Sequence, residues 1–234
     1  MNIKKHIPNF ITLCNLLLGV LSILFALKGE LLWAASFIFL ATIPDFLDGM
    51  VARILKVSSK IGKDLDSLAD LVSFGVAPAI LFYQLEVYEQ LYLQIGFRWV
   101  PYLVLLMPLF AALRLAKFNN DERQSEEFFG LPTPAVALFM ASWPFIIEFD
   151  VYPLEGILVS KSTFILVPLV LSALMVSELR LFSLKFKSLR LVDNQYRFLL
   201  LLCSAILLIF FRFAAIPMII LLYIFLSIIR NFAR

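Results

Sequence analysis

Histidine, cysteine and charge are all scarce in this chain. Of its 234 residues, one is histidine and two are cysteine. His6 stands near the N-terminus, while Cys14 and Cys203 fall inside apolar stretches. Two cysteines so placed give no disulfide framework, and one histidine rules out a His/Cys metal cluster. A Ser-His-Asp triad would have to be built on His6. Charged residues make up 16% of the chain against 62% hydrophobic, with 24 phenylalanines and a mean hydropathy of +0.95, which excludes an ordinary soluble domain. No low-complexity tract, internal repeat or linker to a second soluble domain interrupts it.

What the chain has instead is long apolar runs. A bilayer crossing takes about 20 residues of helix, and runs near 8–28, 32–54, 66–85, 99–118, 133–149, 164–181, 197–212 and 214–231 meet that length. They are continuous rather than alternating, so the spans are helices and not barrel strands. The last two share "RFLLLLCSAILLIFFRFAAIPMIILLYIFLSIIR", which reads either as one kinked helix or as a hairpin; Arg212 and Pro217 favour the hairpin. The predicted fold is all-α, a polytopic membrane protein of about eight transmembrane helices in a single integral domain over residues 1–234. The opening "MNIKKHIPNFITLCNLLLGVLSILFALKG" has a basic start like a signal peptide, but its apolar run is too long and lacks a small-residue cleavage site, so it counts as the first span. Residues 180–198 read as an interfacial helix or as a solvated basic connector, and the tyrosine-rich residues 86–99 as an aromatic interface belt.

Basic residues set the orientation. With eight spans, sixteen of the 20 Lys and Arg fall on one side and four, Lys28, Arg98, Lys161 and Arg212, on the other. The richer side holds both termini and is predicted to be cytoplasmic. The formal net charge of +3 is thereby a topology signal, with some attraction to anionic membrane lipids, and gives no reason to expect nucleic acid as a partner.

On that same side lies "DFLDGMVARILKVSSKIGKDLDSLAD", residues 45–70. Asp45, Asp48, Gly49 and Ala52 share one face of the helix ending the second span, with Arg53 one position on. Gly62, Asp66 and Asp70 follow four apart at the start of the third. Asp64 is out of phase and reads as a first-turn residue favoured by the helix dipole. A short turn lets the two acidic faces meet. A single Asp at a helix centre costs about 2.5–3.5 kcal/mol on the insertion scale, so four near lipid must protonate, pair with lysines or bind cations. Arg53 and Lys63 are too few to neutralise them, whereas two divalent cations would balance them, and carboxylate oxygens suit Mg²⁺ or Mn²⁺. Such a site can clamp a transferring phosphoryl group. The planar donors of Arg53 match a phosphate, and the small residues Gly49, Ala52 and Gly62 leave room for a nucleotide against the backbone. A solvated loop with capping aspartates would explain Asp64 and Asp66, but not Asp45 and Asp48 behind Pro44 inside an apolar span.

The pattern D-x2-D-G-x2-A-R-x8-G-x3-D-x3-D, from Asp45 to Asp70, resembles the signature of the CDP-alcohol phosphotransferase family. That resemblance implies a six-helix core over about residues 7–187, an additional C-terminal hairpin over about 197–231, and a homodimer. It implies Asp45, Asp48, Asp66 and Asp70 as metal ligands, Asp70 also as general base, and Gly49, Ala52, Arg53 and Gly62 as the lining of a CDP site. "IPNFITLCNLLLG", "SLADLVSFGVAPA", "LRLAKFN", "FFGLPTPAVA" and "LMVSELR" extend the likeness to the membrane-embedded phosphatidylserine synthases of that family, with Lys117 standing where arginine is expected. This adds Thr12 and Asn15 to the CDP site, and implies CDP-diacylglycerol and L-serine as substrates. Arg114, Lys117, Asn119 and Arg180 become candidates for the acceptor or a lipid phosphate. Thr12 and Asn15 read equally as interhelical hydrogen bonders, and Arg114 as a snorkelling anchor. Glycerol 3-phosphate is the alternative acceptor, given enough cations in the pocket. A cation transporter is the alternative from another class, disfavoured because no acidic residue is expected within a span on the far half.

Overall fold

A computed structural model describes residues 6–57, 59–93, 99–120, 127–149, 158, 160–183 and 191–232. It is helical nearly throughout. Helices α1 (His6–Leu27) and α2 (Leu31–Ile54) form a hairpin closed by Gly29, whose φ of 79° suits glycine. At about 1.5 Å per residue both are long enough to cross a bilayer. Their contact is built from small residues, with Ser22 and Ala26 packed among Ala34, Ala35 and Ala41, and the Ser22 hydroxyl donating to the Ala34 carbonyl at 2.8 Å. Close backbone approach of this kind is how helices associate where lipid removes the hydrophobic drive.

The third span is continuous from Lys60 but not uniform. Helix α3 (Lys60–Asp70) passes into a π-helical segment, Leu71–Val76, and then α4 (Ala77–Leu93). The Ser59 hydroxyl accepts from the Gly62 amide at 2.9 Å and caps α3. This start lies ahead of the predicted residue 66, so Asp64 is past the first turn and its assignment to the helix dipole is withdrawn. Gly19 of α1 meets the π segment so closely that a β-carbon there would overlap Ser73.

A 3₁₀ turn, Val100–Leu105, leads into α5 (Leu106–Asn120), followed by α6 (Thr133–Phe149) and α7 (Lys161–Val176). Their core joins Phe82, Trp143 and Phe164 edge to face, with ring centroids 5.8 and 5.3 Å from Phe82. Strands β1 (Glu127–Phe129) and β2 (Arg180–Phe182) pair antiparallel, a small β element in an otherwise all-α chain. The span expected to reach residue 181 therefore stops at Val176, where Ser177 is extended, and residues 180–182 are strand rather than interfacial helix. Residues 184–190 of that stretch lie outside the described residues.

Helices α8 (Leu191–Phe211) and α9 (Ala215–Phe232) are the two C-terminal helices. Arg212, at φ 45°, opens the turn between them. Near one end of α8 Arg197 donates to the Ser183 carbonyl at 2.7 Å, and from α9 Asn231 donates to the Arg180 carbonyl at 2.8 Å. Both ends return to β2, which makes the pair a hairpin. Phe10, Leu13, Leu17, Leu24, Leu202, Ile206 and Ile209 remain exposed, as faces bathed in lipid require, and Trp33, Trp99 and Tyr102 are exposed at the end away from the aspartates.

The Gly19 contact carries a test. Gly19→Ala must push α1 off the π segment and is expected to cost about 1–3 kcal/mol, the usual range for overpacking. Gly49→Ala, whose β-carbon meets nothing within 4 Å, should leave stability unchanged. Apparent melting temperatures of the two variants in detergent decide it.

Candidate active site

Helix α3 packs back against α1 beside the end of α2. Asp45 and Asp48 from α2 and Asp66 from α3 then offer carboxylate oxygens that all lie within 4.8 Å of one another. Asp48 is buried, and the Thr12 hydroxyl donates to its Oδ2 at 2.5 Å. Asp70 closes α3 one turn beyond Asp66 and meets Asp45 on the flank of this group. Asn15 donates its amide hydrogen to Asp70 Oδ1 at 3.2 Å, and Ser73 of the π segment in turn donates to the Asn15 carbonyl at 2.9 Å. The irregular turn thus sets the register in which Asp70 and Ser73 both reach α1, a use to which π segments are often put. The donor set is all carboxylate oxygen, which fits a hard divalent cation such as Mg²⁺ or Mn²⁺.

Beside the carboxylates opens a cleft of about 330 Å³ between α1, α2 and α3, lined by Asn9, Thr12, Asp48, Gly49, Ala52, Gly62, Lys63 and Asp66 among others. Gly49 and Gly62 serve it differently. A β-carbon on Gly49 would project into open space, so the glycine keeps part of the cleft free. On Gly62 it would come within 2.9 Å of Ser59 Oγ and 3.1 Å of Asn9 Oδ1, so that glycine permits close approach to the cap of α3 and to α1. Arg53 does not line the cleft. It is exposed, and its Nε donates to the Gly49 carbonyl at 2.9 Å.

The four remaining candidates part company. Arg114 is buried within electrostatic reach of Asp70, donates to Thr133 Oγ1 at 3.2 Å and stacks over Phe118. Its Nε and the Oδ1 of Asn15 are buried without a hydrogen-bond partner among the described residues, so polar atoms are left to spare on both sides of Asp70. Asn119 joins α5 to α3 through a 2.7 Å bond to Ser67 Oγ. Lys117 pairs with Glu178, and Arg180 lies over the Phe129 ring on the strand pair. Sequence reasoning passed over Lys63 as a lining residue, Thr133 as the partner of Arg114, and the π segment altogether. It also expected no acidic residue within a span on the far half, yet Glu86 of α4 is fully buried. Glu86 lies about 24 Å along the helix from Asp70, and the buried side chains between them include Phe74, Leu81 and Phe82, so the described span offers no polar route.

Residues 5–178 match the family model for CDP-alcohol phosphatidyltransferase. The chain belongs to that family. Three similar proteins carry related names. A CDP-diacylglycerol–serine O-phosphatidyltransferase of Bacillus subtilis is 35% identical over 169 residues, covering 68% of this chain and 90% of that protein. One from Helicobacter pylori is 34% identical over 176 residues, covering 74% and 70%. An archaetidylserine synthase of Methanothermobacter thermautotrophicus is 38% identical over 154 residues, covering 61% of each chain. The matched family segment includes the carboxylates, the cleft, Arg114 and Thr133, and ends before β2 and the C-terminal hairpin.

If the three clustered carboxylates form a cation site, Asp48→Asn should weaken Mn²⁺ binding at least about ten-fold, the loss of one charged ligand being worth more than about 1.4 kcal/mol. Asp64→Asn, exposed on the same helix as Asp66 but outside the cluster, should leave it unchanged. Titration of Mn²⁺ followed by electron paramagnetic resonance separates the two.

Proposed function

We propose that this protein transfers the phosphatidyl group of CDP-diacylglycerol to the hydroxyl of L-serine, yielding phosphatidylserine and CMP, at the cytoplasmic face of the cell membrane. The observation that carries the reading is a cleft walled by Asp48 and Asp66, two of three clustered carboxylates, in a chain whose relatives are named for serine transfer. Orientation follows from the uneven distribution of Lys and Arg, concentrated at the end where the aspartates lie. The resemblance further supports a homodimer.

In this reading the cytidine and ribose enter the cleft against Gly49, Ala52 and Gly62, with Thr12 and Asn15 holding Asp48 and Asp70 in place. The acyl chains stay among the lipid-facing helices. Asp45, Asp48, Asp66 and Asp70 would hold two divalent ions, Mg²⁺ or Mn²⁺, which supply charge neutralisation at the diphosphate. Asp70 accepts the serine hydroxyl proton as that oxygen bonds to the phosphorus bearing diacylglycerol. The bond from that phosphorus to the bridging oxygen breaks, and CMP departs with the electron pair. Arg114, buried beside Asp70 with Nε uncommitted, is the cation for the serine carboxylate. Lys117 is engaged with Glu178 and Arg180 with Phe129, which favours an acceptor carrying one carboxylate over one carrying a phosphate.

Purified protein given CDP-diacylglycerol and Mn²⁺ or Mg²⁺ should release CMP with serine, and not with glycerol 3-phosphate or inositol. Release with glycerol 3-phosphate instead would replace serine as the acceptor. Asp70→Asn should reduce turnover at least about a hundred-fold, the lower end of what a positioned general base contributes, with an unchanged melting temperature. Near-normal activity in that variant would remove the base assignment.

A further inference from the structure

The family resemblance implies Arg53 as a residue lining the donor site, yet its side chain is exposed, bound to the Gly49 carbonyl and absent from the cleft wall. A nucleoside diphosphate esterified to a lipid carries about two negative charges, and cations in its cleft are worth most where water is thin. The cationic side chain among the cleft-lining residues is Lys63. It follows Gly62 on α3 and stands one turn before Asp66, so its stem leaves the helix where the nucleotide meets the carboxylates.

Its present partner is a weak one. The ammonium donates to the main-chain carbonyl of Asn119 at 2.7 Å, in the last turn of α5. A helix end presents only about half a negative charge, whereas a diphosphate oxygen presents a formal charge and forms the stronger, charge-assisted bond. Lys63 is exposed and holds a neutral acceptor, and its flexible four-carbon stem can swing without moving the backbone. The α3–α5 contact does not depend on it alone, because Asn119 also bonds Ser67.

We propose that Lys63 is a ligand of the donor's diphosphate and rests on Asn119 until the nucleotide arrives. This rests on the CDP-linked donor proposed above. Occupancy of the cleft exchanges one hydrogen bond of the ammonium for another, and the lysine reads the diphosphate and not the acceptor.

The test uses the full chain in detergent with Mn²⁺. It measures protection by CDP against thermal unfolding, and the KM for CDP-diacylglycerol and for serine. Lys63→Met should raise the CDP concentration for half-maximal protection and the KM for CDP-diacylglycerol by about ten-fold each, equivalent to about 1.4 kcal/mol. The KM for serine should not move. Lys63→Arg, which keeps the charge, should stay within about three-fold of the unmodified protein. Ser67→Ala, which removes only the Asn119 tether, should lower the melting temperature and leave the CDP midpoint in place, as should be true of the midpoint in Lys60→Met, an exposed lysine outside the cleft. An unchanged CDP midpoint in Lys63→Met overturns the proposal. So does a rise of both KM values together with a lower melting temperature, since that is loss of a tether. If the unmodified protein is not protected by CDP at all, the donor reading itself falls. Protection that survives Lys63→Met removes the lysine and leaves the donor standing.

Discussion

Mutual repulsion among carboxylates is the constraint around which this end of the bundle is arranged. Two unit charges 4.8 Å apart cost about 3.5 kcal/mol at an effective dielectric of about 20, so three such pairs, Asp45, Asp48 and Asp66, approach about 10 kcal/mol. That is comparable with the whole stability of a folded domain, about 5–15 kcal/mol. Among the described residues Thr12 contributes one hydroxyl to Asp48 and Asn15 one amide to Asp70, Arg53 turns away to a main-chain carbonyl, and the cations at hand are Lys63 on the cleft wall and Arg114 near Asp70. Carboxylates crowded to this degree form a donor set suited to a divalent cation. The Ser59 cap fixes the start of α3, which packs against α1.

The order of the spans and the pairing of the acidic faces were legible in the sequence, because both rest on period. Eight apolar runs correspond to eight helical spans among the described residues, the third of them made of α3, the π segment and α4, and Asp45 and Asp48 share a face for the same reason that Asp66 and Asp70 do. What escaped depends on contacts between distant segments. A π turn leaves no mark in composition, and the close approach of Gly19 to Ser73 within it is visible only in the structure. The strand pair is equally hidden, since Glu127–Phe129 and Arg180–Phe182 become strands only by finding each other across two helices. Helix starts slipped for a local reason. Hydropathy marks where lipid begins, and Ser59 starts α3 well before that point.

The cations divide along the same line. Arg53 was expected at the CDP site from its motif, and Arg114, Lys117 and Arg180 were candidates of one kind for the acceptor; packing sorts all four. Lys117 finds Glu178 just beyond α7, and Arg180 finds an aromatic face. Arg114 alone of the four is carried into the bundle, because Thr133 at the start of α6 offers it a buried hydroxyl. Thr133 is held in turn by the loop before it. Gly130, at φ 75°, lies against the Met175 carbonyl where a β-carbon would clash, and Leu131 donates to the Leu174 carbonyl at 2.9 Å.

That chain of contacts gives the C-terminal hairpin a place in the design, although it lies beyond the family-matched residues. Gly130 donates to the Leu179 carbonyl at 3.0 Å, the strand pair continues that bond, and Tyr223 of α9 donates to the Phe182 carbonyl at 2.8 Å. The strand pair is short and would fray by itself, since two-stranded units are marginal without a packed face. Here Phe182 supplies that face, its ring 5.0 Å from Tyr223 and capped by Arg230. Lipid-facing helices at the end of the chain therefore brace a polar loop whose far side carries the partner of Arg114. Rigidity at the acceptor side of Asp70 comes from outside the segment that carries the chemistry, which is why the signature alone does not reveal it.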